Sequence, residues 1–251
     1  MPESALHMVR LEIQAPKLVS FAGRDLPPRQ DDTSFLVHRL LASLFGEGTV
    51  QPFRVLAEER RSLPVLSYSE RDEEALRRHA DSFADPLAHS AVDWSSFAVK
   101  SMPGRWKSGC RLGFEVKVCP IVRLASSREV DWLGERRTLP RGAEIDAFVH
   151  RRYLRGEDEA TREGVYREWT ARRLRPAAEV LTAGLQGFRR RKLVRKTHEA
   201  VRRPRLLERP EALVTGTLTV SEPQAFAKVL ANGVGRHKAF GFGMLLLRPE
   251  T

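Results

Sequence analysis

Four glycines and three basic or titratable side chains crowd the segment from Gly233 to Gly243 (GVGRHKAFGFG), directly ahead of the apolar run Met244 to Leu247. Without a Cβ, Gly233, Gly235, Gly241 and Gly243 can turn the chain sharply and let main-chain N–H groups come within contact distance of an anion. Arg236, His237 and Lys238 add charge and a titratable ring, and Phe240 and Phe242 can anchor the loop to a core. The order of elements excludes the nucleotide folds. Dinucleotide and P-loop glycines follow a strand and open a helix, whereas here a helical stretch, Pro223 to Leu230, comes first and the strand comes after. A tight turn whose charges face water would use the same residues, so the loop alone leaves both readings open.

Composition narrows the partner. The chain has 251 residues, 41% of them hydrophobic, enough for one large or two small cores. Its formal charge of +11 and pI near 10.3 point to a polyanion. An acidic membrane surface would satisfy the charge, but no apolar run approaches the roughly 20 residues that span a bilayer, and the N-terminal stretch reads without a signal peptide's apolar core. Nucleic acid is therefore the expected partner. Cys110 and Cys119 lack a CxxC spacing or a nearby pair of histidines, so they read as reduced, non-ligating residues of a cytoplasmic protein with no structural metal and no cofactor.

Periodicity supplies the elements. Val9, Leu11 and Ile13 alternate with charged residues as in a half-buried strand. Asp31, Asp32 and Thr33 offer caps to a helix over Phe35 to Phe45. Strands over Phe53 to Leu56 and Pro64 to Tyr68, a helix over Glu73 to Ala80 and a strand over Arg111 to Val118 follow. Strand, helix, strand, strand, helix, strand is the ferredoxin-like order. The second half repeats it less cleanly: helical segments between Ile145 and Leu174, a basic stretch after Phe188, a strand through Leu213 to Val220, the short helix, the loop and a last strand. The expected architecture is two tandem ferredoxin-like (RRM-like) βαββαβ domains of class α+β, residues 1–125 and 126–251, with extra helix in the long segment Gly156 to Pro210.

Two groups of residues carry candidate chemistry. On the helix ending at Phe45, Leu36, Val37, Leu40, Leu41, Leu44 and Phe45 share one face and His38 sits at its edge. A histidine at such a border more often serves structure than catalysis. The basic stretch holds Arg189, Arg190, Arg191 and Lys192, then Arg195 and Lys196, then Arg202, Arg203 and Arg205. Charge runs usually form solvated faces, but Phe188, Leu193, Val194 and Val201 are interleaved here, as in a structured hairpin able to follow the phosphates of an A-form stem. Arg151, Arg152, Arg172, Arg173 and Arg175 could extend the track. His237 is the rival to His38, although Arg236 and Lys238 beside it disfavour its protonated form.

The glycine loop with its strand, GVGRHKAFGFGMLLLRP, resembles the C-terminal loop of the repeat-associated RNA-binding proteins of CRISPR systems, and in particular of the CasE-type endoribonucleases that cut CRISPR precursor RNA. The resemblance implies a pair of ferredoxin-like domains, metal-independent cleavage at the base of a repeat hairpin, and a catalytic histidine in the first helix. It extends to the segment Phe35 to Arg39, which matches the family's aromatic-x-x-His-Arg pattern in position and order, and so implies that His38 is catalytic, with Arg39 beside it. Phe35 stands where relatives carry a tyrosine and Ser43 where some carry a lysine; Tyr68, Tyr153 or Lys107 are candidates to replace them. The implied partners are the repeat RNA hairpin (crRNA), gripped by the basic stretch and the glycine loop, and other Cascade subunits. A catalytically silent RNA-binding subunit of the same fold is the alternative.

Overall fold

A computed structural model describes residues 5–23, 33–57, 61–132, 135–196 and 204–250. The first unit is β1 (His7–Gln14), α1 (Ala15–Ala22), α2 (Thr33–Phe45), β2 (Phe53–Val55), β3 (Ser62–Ser69), α3 (Glu73–Phe83), α4 (Pro86–Ser90) and β4 (Val92–Ser101). Its antiparallel sheet runs β2-β3-β1-β4. Alternation in β1 buries Val9, Leu11 and Ile13 completely. The apolar stripe of α2, Leu36 through Phe45, packs with them into one core. The proposed caps Asp31 and Asp32 lie outside the described residues. Asp72 caps α3, its carboxylate accepting from the Ala75 amide at 2.8 Å.

The second unit begins with β5 (Arg111–Val118) and continues through β6 (Ile121–Arg123), β7 (Arg128–Trp132), β8 (Glu135–Leu139), β9 (Glu144–Asp146) and α5 (Ala147–Val149), which runs into a π turn, His150–Leu154. There follow α6 (Arg162–Leu174), β10 (Ala178–Lys196), β11 (Pro204–Val220), α7 (Pro223–Asn232), a 3-10 turn at Lys238–Phe240 and β12 (Leu245–Pro249). The main sheet runs β10-β11-β5-β12. In both sheets the second strand lies at one edge, then the third, the first and the fourth. The molecule is a pair of ferredoxin-like units, as expected.

One assignment is corrected. Arg111–Val118, expected to close the first sheet, pairs instead with β11 and β12 of the second. The first sheet is closed by β4, which has no clean alternation to announce it: Trp94, Ser95, Ser96 and Phe97 interrupt the period, and the β1–β4 register shifts between Arg10 and Glu12. The chain thus passes from one sheet to the other between Ser101 and Arg111.

The basic stretch forms the far end of a long antiparallel hairpin, β10 against β11, paired from Ala178↔Val220 to Lys196↔Pro204; Arg202 and Arg203 lie outside the described residues. The two units are pinned together by polar contacts. Arg54 of β2 meets Glu115 of β5 at 2.7 Å, and the buried Tyr68 phenol donates to the Leu245 carbonyl at 2.8 Å. Cys110 and Cys119 are free thiols.

Candidate catalytic site and nucleic-acid interface

His38 is half-buried on α2, its ring nearly parallel to Phe53 of β2 (centroids 6.4 Å, interplanar angle 4°). The Gln51 side-chain nitrogen lies 3.0 Å from its Nδ1. Burial lowers the imidazole pKa below its ordinary value, and the Glu47 carboxylate only partly offsets this. The ring is therefore neutral at pH 7. Arg39, next in sequence, is half-buried and lies over Phe21 of α1, 5.8 Å from the ring centroid.

The glycine loop is docked onto α2. Phe35 stacks on Phe240 (5.7 Å, 23°), and Phe240 lies 6.2 Å from His237. A run of four rings, His38, Phe35, Phe240 and His237, thus connects the two candidate histidines. Phe240 and Phe242 pack with Cys119, Ile121 and Leu193 in a small third core against which Phe35 also lies. The glycines are explained by this docking. Gly235 has φ of +83°, and a Cβ there would sit 2.7 Å from the Trp169 ring; a Cβ on Gly241 would sit 3.1 Å from the Ser34 hydroxyl. Gly233 and Gly243 are held against each other by a hydrogen bond from the Val234 amide to the Gly243 carbonyl at 2.8 Å. Lys238 opens the 3-10 turn and is half-buried, whereas Arg236 is exposed.

His237 adopts the left-handed conformation, φ +63°. Its Nε2 is 3.0 Å from Glu144 of β9, and its side chain is only 10% exposed. Glu144 also receives Arg209 at 2.9 Å and faces Arg236 at 3.7 Å. Burial would raise the Glu144 carboxyl, but His237, Arg209 and Arg236 outweigh it and hold the pKa below the ordinary value. His237 itself is lowered by burial, against the pull of Glu144.

The hairpin's arginines divide by strand alternation. Arg189 and Arg191 share a side and converge on Glu211 of β11, at 2.6 and 2.8 Å. Arg191 is 10% exposed and also donates to the buried Ser34 hydroxyl of α2 at 3.2 Å. Lys117 stands 4.0 Å from the same carboxylate. These cations keep Glu211 ionised although burial opposes it. Arg190 and Lys192 project from the other side, exposed, with Arg190 within 3.6 Å of the equally exposed Glu208. Arg195 and Lys196 end β10, and their side chains fall outside the described residues. Beside the basic part of the hairpin, a cavity of about 220 Å³ is lined by Arg137, Glu144, Arg190, Glu208 and Arg209 among others.

The proposed stand-ins for the absent tyrosine are not at this site. Tyr68 is fully buried and engaged with Leu245, Tyr153 is exposed on the π turn beside Phe148, and Lys107 is exposed in the connection between the sheets. Sequence reading missed Gln51, Glu144 and Glu211. They are 13, 93 and 20 residues from His38, His237 and Arg191, and no local spacing signals such pairs. Among the described residues no three His, Cys, Asp or Glu side chains are grouped to hold a metal ion, and no helix is long and apolar enough to cross a membrane.

A sequence model of the family described as CRISPR associated protein matches residues 6–249. The chain belongs to that family. Among solved structures it is similar to a CRISPR endoribonuclease Cse3 bound to 19 nt RNA, with a TM-score of 0.60 at 21% identity over 98% of this chain and 100% of that one. Thermus thermophilus Cse3, bound to an RNA representing a pre-cleavage complex, gives 0.56 at 20% over 98% and 100%. Cas6e from Escherichia coli K-12 gives 0.56 at 17% over 97% and 100%. These likenesses establish the fold of the family member. Among curated proteins no sequence matches.

Proposed function

We propose that this CRISPR associated protein is an endoribonuclease that cuts CRISPR precursor RNA at the base of the repeat hairpin, without a metal ion, and keeps the mature crRNA as a subunit of a Cascade-type complex in the cytoplasm. The observation that carries the reading is the setting of His38: a neutral, half-buried imidazole held between Gln51 and Phe53, on the helix that also touches the glycine loop and the root of the basic hairpin. The structural relatives that are named endoribonucleases and bound to RNA support it. On sheet membership we place the division between the two units within residues 102–110, ahead of the expected 125/126 limit.

In the proposed reaction the substrate's 2′-oxygen attacks the adjacent phosphorus. The O2′–P bond forms as P–O5′ breaks, the 2′-hydroxyl proton leaves to solvent and the 5′-oxygen is protonated, giving a 2′,3′-cyclic phosphate and a 5′-hydroxyl. His38 contacts the scissile phosphate, while Arg190 and Lys192, with Arg195 and Lys196, follow the stem phosphates. Arg191 and Arg189 shape that surface through Glu211, and Arg236 and Lys238 face the RNA from the loop. Cleavage of the cognate repeat RNA in EDTA, abolished by a 2′-deoxy nucleotide before the scissile phosphate, is the expected result; a chelator-sensitive reaction or a 3′-hydroxyl product refutes the mechanism.

One observation favours a second reading, a silent RNA-binding subunit. Phe35 has no hydroxyl and is spent on stacking with Phe240. Tight, salt-sensitive hairpin binding without cleavage would establish that alternative. In either case Arg190→Ala with Lys192→Ala should lower the log-log salt slope of binding by about 1.4 to 1.8.

A further inference from the structure

The contact between Gln51 and His38 has chemical content beyond packing. The Gln51 side chain presents its nitrogen to Nδ1 at 3.0 Å. With the Gln51 amide in this orientation its nitrogen carries two hydrogens and accepts none, so Nδ1 supplies the lone pair and the proton of the neutral ring resides on Nε2, the atom on the far side of the imidazole. The ring lies nearly parallel to Phe53 and within 6.5 Å of Phe35. Among the described residues the charged group that acts on it is Glu47, in the turn after α2, and burial outweighs that carboxylate, so the ring stays neutral.

We infer that Gln51 is a positioning residue that holds His38 as its Nε2–H tautomer, so that the ring meets the scissile phosphate as a hydrogen-bond donor and not as the base that takes the 2′ proton. The inference rests on the functional reading above for its substrate. In the pentavalent intermediate, negative charge grows on the non-bridging oxygens, and a preset Nε2–H aimed at one of them stabilises it with no rearrangement. His38 then neither gains nor loses a proton over the cycle: the 2′ proton goes to water, and the 5′-oxygen takes one from water. A cationic His38 would require a hydrogen on Nδ1, directed at the Gln51 N–H₂ group, and is disfavoured in this pocket.

Two signatures follow. Cleavage should not decline from pH 7 to 9, because the neutral ring is the working form, whereas an imidazolium acid would lose activity as it deprotonates. In RNA-free protein labelled with nitrogen-15, long-range proton–nitrogen spectra should show a protonated Nε2 and a bare Nδ1 on His38. Gln51→Glu replaces the donor by a carboxylate acceptor, draws the proton to Nδ1, and should raise the His38 titration midpoint and cut cleavage at pH 7 about tenfold. RNA affinity should stay within about twofold, because phosphate contacts carry binding. Gln51→Met keeps the ring packed but frees the tautomer, and should fall between the two.

A proton on Nδ1 in the wild-type protein overturns the inference, as does a Gln51→Glu protein that keeps the wild-type tautomer or pH profile, or wild-type cleavage that declines above pH 7. Normal cleavage by His38→Ala would strike the functional reading instead. The spectra need no RNA and still decide whether Gln51 sets the tautomer.

Discussion

His38 and His237 are the same residue type at the two ends of one run of rings, both partly buried and both with lowered pKa, yet their surroundings differ. His38 faces a neutral amide, so its ring is fixed without being charged. His237 faces Glu144, which the half-buried Arg209 and the exposed Arg236 also approach, and it is one member of a polar cluster that joins the glycine loop to β9 and β11. The difference teaches that a histidine's role is set by the partner of its second nitrogen and by whether the first is spoken for. In this fold the glycine loop's histidine is engaged by Glu144, which is why the proposed function gives the chemistry to the helix histidine.

The largest effect that could break this comparison is expected at Gly235. Gly235→Val places a β-branched side chain at φ +83° and into the Trp169 ring. It should cost about 3 to 5 kcal/mol, read as a large fall in melting temperature. Wild-type stability with lost RNA affinity would return the loop to a phosphate-touching role. Next, Glu144→Ala leaves His237, Arg209 and Arg236 without their shared carboxylate and should cost about 3 kcal/mol, the penalty for uncompensated buried charge. If melting is unchanged, the polar cluster is not holding the loop.

His38→Ala should lower cleavage about 100-fold, equivalent to about 2.7 kcal/mol of barrier, with binding and melting nearly unchanged. His237→Ala should do the reverse, losing about 1 to 2 kcal/mol of stability while the folded protein cleaves within about threefold of wild type. Exchanged outcomes would exchange the roles. The smallest effect is on pH. Both rings take a proton less readily folded than unfolded, so the stability they contribute is complete above about pH 6.5 and declines as pH falls through their lowered values. Melts at pH 7.5 and 5.5 measure the decline, and His237→Phe should shrink it; a stability that rises on acidification would mean that Glu144 raises His237 more than burial lowers it.

Much of the fold was legible because it is written in short periods. The alternation of Val9, Leu11 and Ile13, the stripe of α2 and the apolar residues interleaved in the basic stretch each became the element they announced. The site was legible in part. Its residues could be named, because the motif around His38 and the glycine loop are contiguous, but their directions could not. Arg190 and Arg191 are neighbours in sequence, and strand pairing turns one to solvent and the other onto Glu211 and Ser34.

Sequence by itself determined the class of most elements, a charge of +11 that points to a polyanion, and the presence of a histidine on the border of an apolar face. These follow from periodicity and composition, which act over a few residues or over the whole chain. Only the tertiary structure decided that Arg111–Val118 joins the second sheet, that Gly235 and Gly241 face Trp169 and Ser34, and that Gln51, Glu144 and Glu211 meet His38, His237 and Arg191. Those outcomes depend on which distant groups meet in a low-dielectric interior, where a single hydrogen bond or carboxylate outweighs any local preference.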